Sequence, residues 1–284
     1  MLDELFQLYL RLPSSSIVTL NSTNLYVTNS SEAFGIAPFH RFSERSSQQH
    51  GVTDLGYRLD PRLVTLQMTF RAATPDLYWS YRDALCQVFR PSNQVYTFYA
   101  VIPNGVNPDI TRSLDCYLHK GLSFDTAKRK GLNQDFEVVL FAPDPTWYDP
   151  TLRTDTIQIN EGSATVHLQM TFAGTWRVYP QIVIVGPIQN PKIINYFTNE
   201  TLELAYSVAE GDTVTIETAY GKKTVKNVAG TNLISKLTDA SDLATFHIDP
   251  EDYTLHNRMD ISGTVPAGKH AHVTFNYYDR FIGI

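Results

Sequence analysis

The chain has 284 residues, of which 43% are hydrophobic, 12% aromatic and only 18% charged. That composition excludes a mainly disordered polymer. Its 23 Lys and Arg against 29 Asp and Glu leave a net charge of −6, which excludes a strongly basic nucleic-acid binder. Two cysteines, Cys86 and Cys116, allow neither a disulfide framework nor a four-cysteine zinc site.

The first residues, MLDELFQLYLRLP, carry Asp3 and Glu4 and no early Lys or Arg. They lack the basic start of a secretory signal. Leu2, Leu5, Phe6 and Tyr9 fit either a helical stripe or a docking arm. Phe39 to Gly51, with Arg41, Arg45 and the polar run Ser46 to His50, reads as a long exposed loop.

Leu63 to Arg71 alternates. Val64, Leu66, Met68 and Phe70 fall on one face and Thr65, Gln67, Thr69 and Arg71 on the other, which predicts a half-buried strand. The next segment changes period. Thr74 is a good N-cap, Pro75 suits the first helical position and Asp76 the positive end of the helix dipole. Leu77, Tyr81, Ala84, Leu85 and Val88 follow at helical spacing and Pro91 ends the run, predicting one amphipathic helix.

A second excursion runs from Pro103 to Arg112, with a turn signal at Asn104-Gly105. Phe136 to Phe141, Thr165 to Ala173, Asp212 to Thr218 and His272 to Tyr278 read as strands. Ile182 to Val185 is apolar on both faces and reads as a central strand. Many short strands around one helix predict sandwiches or barrels. No apolar run approaches the ~20 residues of a membrane-spanning helix.

A boundary near residue 150 is expected from the proline-flanked linker Asp144-Pro145-Thr146-Trp147-Tyr148-Asp149-Pro150 and from a shift in cation usage. Residues 1–149 hold ten Arg and three Lys, residues 150–284 four Arg and six Lys. The expected domains are 1–149, with 1–16 as a possible extra arm, and 150–284.

Candidates for chemistry are sparse. His270 and His272 would share a strand face, but no acidic or Cys partner lies near them in sequence, so a polar strand end is the better reading. Asp144, Asp149 and Asp155, and Asp249, Glu251 and Asp252, form two carboxylate clusters beside prolines. Asp is favoured in such turns for local backbone bonding. Phosphate-loop, dinucleotide and nucleophile-elbow motifs are missing. No catalytic, cofactor-binding or metal-binding residue is assigned. The aromatics Trp147, Trp176, Tyr179, Tyr277 and Tyr278, read as solvent-facing, suit either sugar stacking or protein interfaces.

Four stretches together resemble the siphophage tail proteins of the distal-tail (tail-tip hub) type. They are the Gly51 loop leading to Arg62-Leu63-Val64-Thr65-Leu66, the helix Pro75–Pro91, the strand Phe136–Phe141 closing in Ala142-Pro143-Asp144-Pro145-Thr146-Trp147-Tyr148, and the C-terminal half. That half includes Pro180–Gly186, Asn190-Pro191, Gly211-Asp212, Ser241-Asp242-Leu243 and Tyr277–Ile284. The likeness spans residues 35–284 and leaves residues 1–16 outside it.

The resemblance implies a mainly β protein: an N-terminal β-rich belt domain with one helix, and a C-terminal galectin-like β-sandwich. It implies a non-catalytic virion tail protein assembled in the bacterial host cytoplasm. Such a protein forms a ring, usually hexameric, that links the tail tube to the tip and the host-adsorption apparatus. Its partners would be copies of itself, the tail tube protein and tail-tip or tape-measure-associated proteins. Arg41, Arg45, Arg58 and Arg62 are the ring-interface candidates, since Arg suits fork-like pairing with a neighbour. The alternative is a tail-associated protein that grips host-surface glycan through its C-terminal sandwich, with Trp176 and Tyr179 as the sugar platform. No cofactor is expected under either reading.

Overall fold

The structure is a computed structural model that describes residues 7–31, 33–103, 109–162, 164–250 and 257–284. The N-terminal positions Leu2, Leu5 and Phe6, the turn Asn104-Gly105 and the acids Glu251 and Asp252 lie outside the described residues. The chain divides into two compact units, Met1–Pro150 together with Phe281–Ile284, and Thr151–Arg280.

In the first unit an antiparallel sheet runs in the order Ile17–Thr19, Gln7–Arg11, Tyr96–Ile102, Ile110–Lys120, Asn133–Ala142, Arg62–Arg71 and Leu25–Ser31. Its first and last strands are consecutive in the chain, so the sheet curls until its ends are a short connection apart. The bend lies in Ile110–Lys120. Residues 110–116 pair with Tyr96–Ile102, whereas Tyr117, Leu118 and Lys120 pair with Asn133–Ala142 across a register shift at Val139/Leu140.

The alternation of Val64, Leu66, Met68 and Phe70 is realised, and all four side chains are buried. They share one core with Leu8, Leu10, Phe98 and Ala100 from the other half of the curl. On the outer face cross-strand polar pairs form instead. Thr69 Oγ1 donates to Asp135 at 2.6 Å and Gln67 Nε2 to Glu137 at 2.6 Å.

The helix spans Pro75–Val88, with the Thr74 hydroxyl accepting from the Leu77 amide at 3.3 Å. Its packed face is the expected one shifted by part of a turn, with Leu85 buried and Tyr81 and Val88 packed against the core as expected. Tyr78 and Leu85 are buried, while Leu77 and Ala84 face solvent. A tyrosine suits burial here because its hydroxyl donates to Gln134 Oε1 at 2.9 Å.

Both cysteines are free thiols, Cys86 exposed and Cys116 buried. Burial pushes the Cys116 thiol pKa up, and nearby Asp115 adds to the shift. Since the thiolate is the nucleophile, a chromogenic disulfide reagent at pH 8 is expected to titrate one thiol rapidly and the second only in denaturant. Two fast thiols would contradict the burial of Cys116.

The second unit is a sandwich of two sheets. One runs Arg153–Ile159, Ala271–Tyr277, Gln181–Val185, Thr213–Glu217 and Thr224–Asn227. The other runs Val166–Gln169, Arg258–Thr264, Ile188–Asn195 and Thr201–Glu203, with Ser207–Val208 beside Ile188–Asn195. Ile182, Ile184, Val214, Ile216 and Phe275 from the first sheet meet Ile193, Leu202, Met259 and Ile261 from the second in one core. Gln181–Val185 is central, as expected, although Val183 and Val185 are only half-buried. The strand expected over Thr165 to Ala173 stops at Gln169. The Thr171 amide leaves the ladder and donates to the Asp155 carboxylate at 2.9 Å.

Candidate assembly surface

The segment expected to be a long loop is a β-hairpin. Phe39–Glu44 pairs antiparallel with Thr53–Leu59, with a register shift between Phe42 and Ser43. Its exposure is as expected, but its conformation is not. The two strands form their own sheet and pair with no other strand among the described residues.

Every residue of Phe39–Glu44 is exposed. So are large apolar groups on both strands: Phe39 is 57% exposed, Leu55 58% and Tyr57 48%. A two-stranded ribbon with neither face on a core is marginal in water, and exposed apolar surface of this kind marks an interaction site.

Local contacts hold the ribbon's own shape. The Phe39 and Tyr57 rings meet edge to face at 6.2 Å, and His40 and Phe42 do so at 4.8 Å. At the turn the Ser46 amide donates to Gln49 Oε1 at 3.2 Å and Gln49 Nε2 to Thr53 Oγ1 at 2.9 Å. The polar run is therefore a tied turn.

Three of the four arginine candidates lie on this hairpin. Arg41 pairs with Asp54 at 2.6 Å, with both side chains more than half exposed, so the pair contributes at most about 1 kcal/mol. Arg45 Nε donates to the Gln49 carbonyl at 3.2 Å. Arg58 lies 3.4 Å from Asp60 and 5.3 Å above the Phe42 ring.

Arg62 is different. It is 0% exposed and has no surface to give a neighbour. Its Nε donates to the Pro145 carbonyl at 3.0 Å. One terminal nitrogen donates to the Ala33 and Gly35 carbonyls at 3.1 and 3.0 Å, and the other to the Ile282 carbonyl at 3.1 Å. The five fixed donors of a guanidinium suit such a cluster of carbonyls.

The sugar-platform candidates lie in the second unit. Trp176 is half-buried, with the Arg177 guanidinium 5.6 Å from its ring. Tyr179 is half-buried and meets Tyr220 edge to face at 4.9 Å. Burial, and then the hydrogen bond with Tyr220, pushes the Tyr179 hydroxyl pKa up. Tyr220 is 66% exposed, with the Lys223 ammonium 4.3 Å above its ring. In the sequence its surroundings, Tyr220-Gly221-Lys222, carry only a turn signal.

Other expected surface groups are internal. Trp147 and Tyr277 are buried, contrary to their expected solvent exposure, while Tyr278 is 40% exposed. The Asp144, Asp149 and Asp155 cluster does structural work. Asp144 caps Thr146, Asp149 lies 3.5 Å from Arg112, and Asp155 holds Thr171 and Tyr277. His270 and His272 are exposed, and no metal-binding cluster of His, Cys, Asp or Glu occurs among the described residues. No described helix is long and apolar enough to cross a membrane.

Residues 18–141 match the family described as phage tail protein RIFT-related domain. The chain is similar in structure to the phage SPP1 Dit (gp 19.1) protein, described as a paradigm of hub adsorption apparatus in Gram-positive infecting phages. The identity is 11% over 96% of this chain and 99% of that one, with a TM-score of 0.65. It is also similar to a chain of the phage P2 baseplate in its activated conformation with Ca, at 7% identity, 98% and 99% coverage and a TM-score of 0.50. At these identities the likeness to the solved structures is one of fold. No curated protein matches the chain. The chain thus carries, over residues 18–141, the RIFT-related domain of phage tail proteins, and it shares the fold of the hub protein over nearly its whole length.

Proposed function

We propose that this chain is a structural component of the virion tail, a tail-tip or baseplate hub. Copies of it close into a ring, six around, that joins the tail tube protein to the tip and its adsorption apparatus. The observation that carries this reading is the hairpin Phe39–Leu59, which pairs with no other strand among the described residues and leaves Phe39, Leu55 and Tyr57 about half exposed. A ring needs a heterologous contact, in which one face of each copy meets a different face of the next. A projecting hairpin supplies one of those two faces. Arg41, Arg45 and Arg58 are its polar rim, and the buried Arg62 takes no part in the contact.

The purified chain is expected to form closed rings with a central channel in electron micrographs. The double substitution Leu55→Asp/Tyr57→Asp adds charge only where side chains are exposed. It is expected to weaken self-association at least about tenfold, roughly 1.4 kcal/mol per contact, while leaving the melting temperature unchanged. A wild-type chain that stays monomeric at every concentration, or a double variant that assembles normally, would overturn the reading.

A second reading concerns the second unit, where the exposed Tyr220 beside Tyr179 and Lys223 supports contact with host-surface glycan. Stacking on a tyrosine face beside a cation suits a sugar ring. A glycan array probed with the whole chain and with Tyr220→Ala tests it. Binding lost in the variant supports this role, and a blank array with the wild type removes it.

A further inference from the structure

Within the first unit the hairpin joins the main sheet through two short stems, residues 33–38 and 60–62. The Asp60 amide ties them by donating to the Pro38 carbonyl at 2.8 Å. A third segment, Phe281–Ile284, more than 200 residues further along the chain, lies along the first stem. The Ala37 amide donates to the Ile282 carbonyl at 3.0 Å and the Ile284 amide to the Phe34 carbonyl at 2.9 Å. Arg62 joins the pieces, since one side chain in the second stem donates to Ala33 and Gly35 in the first stem and to Ile282.

The fit of segment to stem is close. A Cβ on Gly283 would stand 2.8 Å from the Gly35 carbonyl oxygen and 2.9 Å from its carbon. A Cβ on Gly35 would meet nothing within 4 Å. The tight side of this contact is therefore Gly283.

We propose that Phe281–Ile284 and Arg62 are positioning residues for assembly, which fix the direction in which the hairpin meets a second copy of the chain. This rests on the ring reading. It follows from lever geometry. Seven residues of strand reach about 23 Å at ~3.3 Å per residue. A tilt of roughly 10° at the stems therefore moves the tip by about 4 Å, close to a whole strand spacing of ~4.8 Å. Ring closure tolerates no such error, because every contact must repeat the same rotation.

The test compares Gly283→Ala with Gly35→Ala in the full chain. Amide hydrogen exchange is read at dilutions where the chain is monomeric, and self-association by mass photometry at higher concentration. Gly283→Ala is expected to speed exchange at Ala37 and Asp60 at least about tenfold and to weaken association at least about tenfold. The core strand Arg62–Arg71 should stay as protected as in the wild type. Gly35→Ala should change neither reading. Should alanine at 283 be absorbed without faster exchange, a chain ending at Arg280 replaces it and must show both effects. Loosened stems with normal rings would overturn the proposal. A wild type that never assembles would overturn the ring reading instead, while the exchange comparison would still report whether the segment holds the stems.

Discussion

Arg62→Met is expected to destabilise the first unit by about 3–5 kcal/mol, near the upper end for a single substitution. Methionine keeps the length and apolar stem of arginine but carries no donor. Four carbonyls, those of Ala33, Gly35, Pro145 and Ile282, lose the group that donates to them. Ala33 and Ile282 retain other donors, Trp147 Nε1 at 3.2 Å and the Ala37 amide. The loss therefore falls most heavily on the buried Pro145, since Gly35 is exposed to water. A buried acceptor left without a partner costs about 1–3 kcal/mol. Arg62→Lys should recover less than half of the loss, since one ammonium cannot span carbonyls arranged for a planar fork. Urea unfolding followed through the buried Trp147 measures both. A change below about 1 kcal/mol for the methionine variant would show that the carbonyls find water or other donors.

Arg62 also marks where the sequence stops being informative. Its strand was legible, because Val64, Leu66, Met68 and Phe70 face a core and alternation records that. Its own burial was not, since it depends on carbonyls contributed from residues 33, 35, 145 and 282, and nothing local announces them. Arginine in a β-rich sequence ordinarily marks an interface group, so residue type alone points Arg62 to the surface.

The hairpin failed in the opposite direction. A strand with both faces uncovered has no burial pattern to record, so Phe39–Glu44 and Thr53–Leu59 carry mixed polar and apolar residues and resemble a loop. The helix was legible from Thr74, Pro75 and Asp76, and Tyr81, Leu85 and Val88 pack as its spacing implies, but Leu77 and Ala84 do not. Leu77/Ala84 and Tyr78/Leu85 are parallel stripes one residue apart, and a hydropathy pattern prefers leucine to tyrosine. Burial went to the tyrosine because Gln134 stood ready to accept from its hydroxyl. On the candidate surface, Arg41, Arg45 and Arg58 were found from residue type, while the apolar side chains that carry the argument were visible only once the fold left them bare.

Asp155→Ala is expected to cost the second unit about 3–5 kcal/mol, and the reason is an inter-sheet staple. Asp155 lies on Arg153–Ile159 in one sheet and is buried. Thr171 lies just past Val166–Gln169 in the other. One carboxylate oxygen accepts from the Tyr277 hydroxyl at 2.6 Å and from the Thr171 amide at 2.9 Å, and the other accepts from the Thr171 hydroxyl at 2.9 Å. Alanine removes the acceptor of all three donors and leaves the Thr171 and Tyr277 hydroxyls only their long 3.4 Å contact with each other, and hydrogen bonds to a charged acceptor contribute about 1.5–3 kcal/mol each before non-additivity.

The same cluster gives the second unit an alkaline weakness. Burial first, and then the bond to Asp155, pushes the Tyr277 hydroxyl pKa above its usual value near 10. The folded unit thus keeps a proton that the unfolded chain releases, so this contribution is complete below about pH 10 and declines as the pH rises above it. Tyr277→Phe should flatten that decline while lowering stability at pH 7, because the phenol no longer donates to Asp155. Chemical unfolding of the second unit at pH 7, 9.5 and 11, followed through Trp176, reads both effects. A phenylalanine variant that loses stability with pH as steeply as the wild type would show that Tyr277 is not the titrating group.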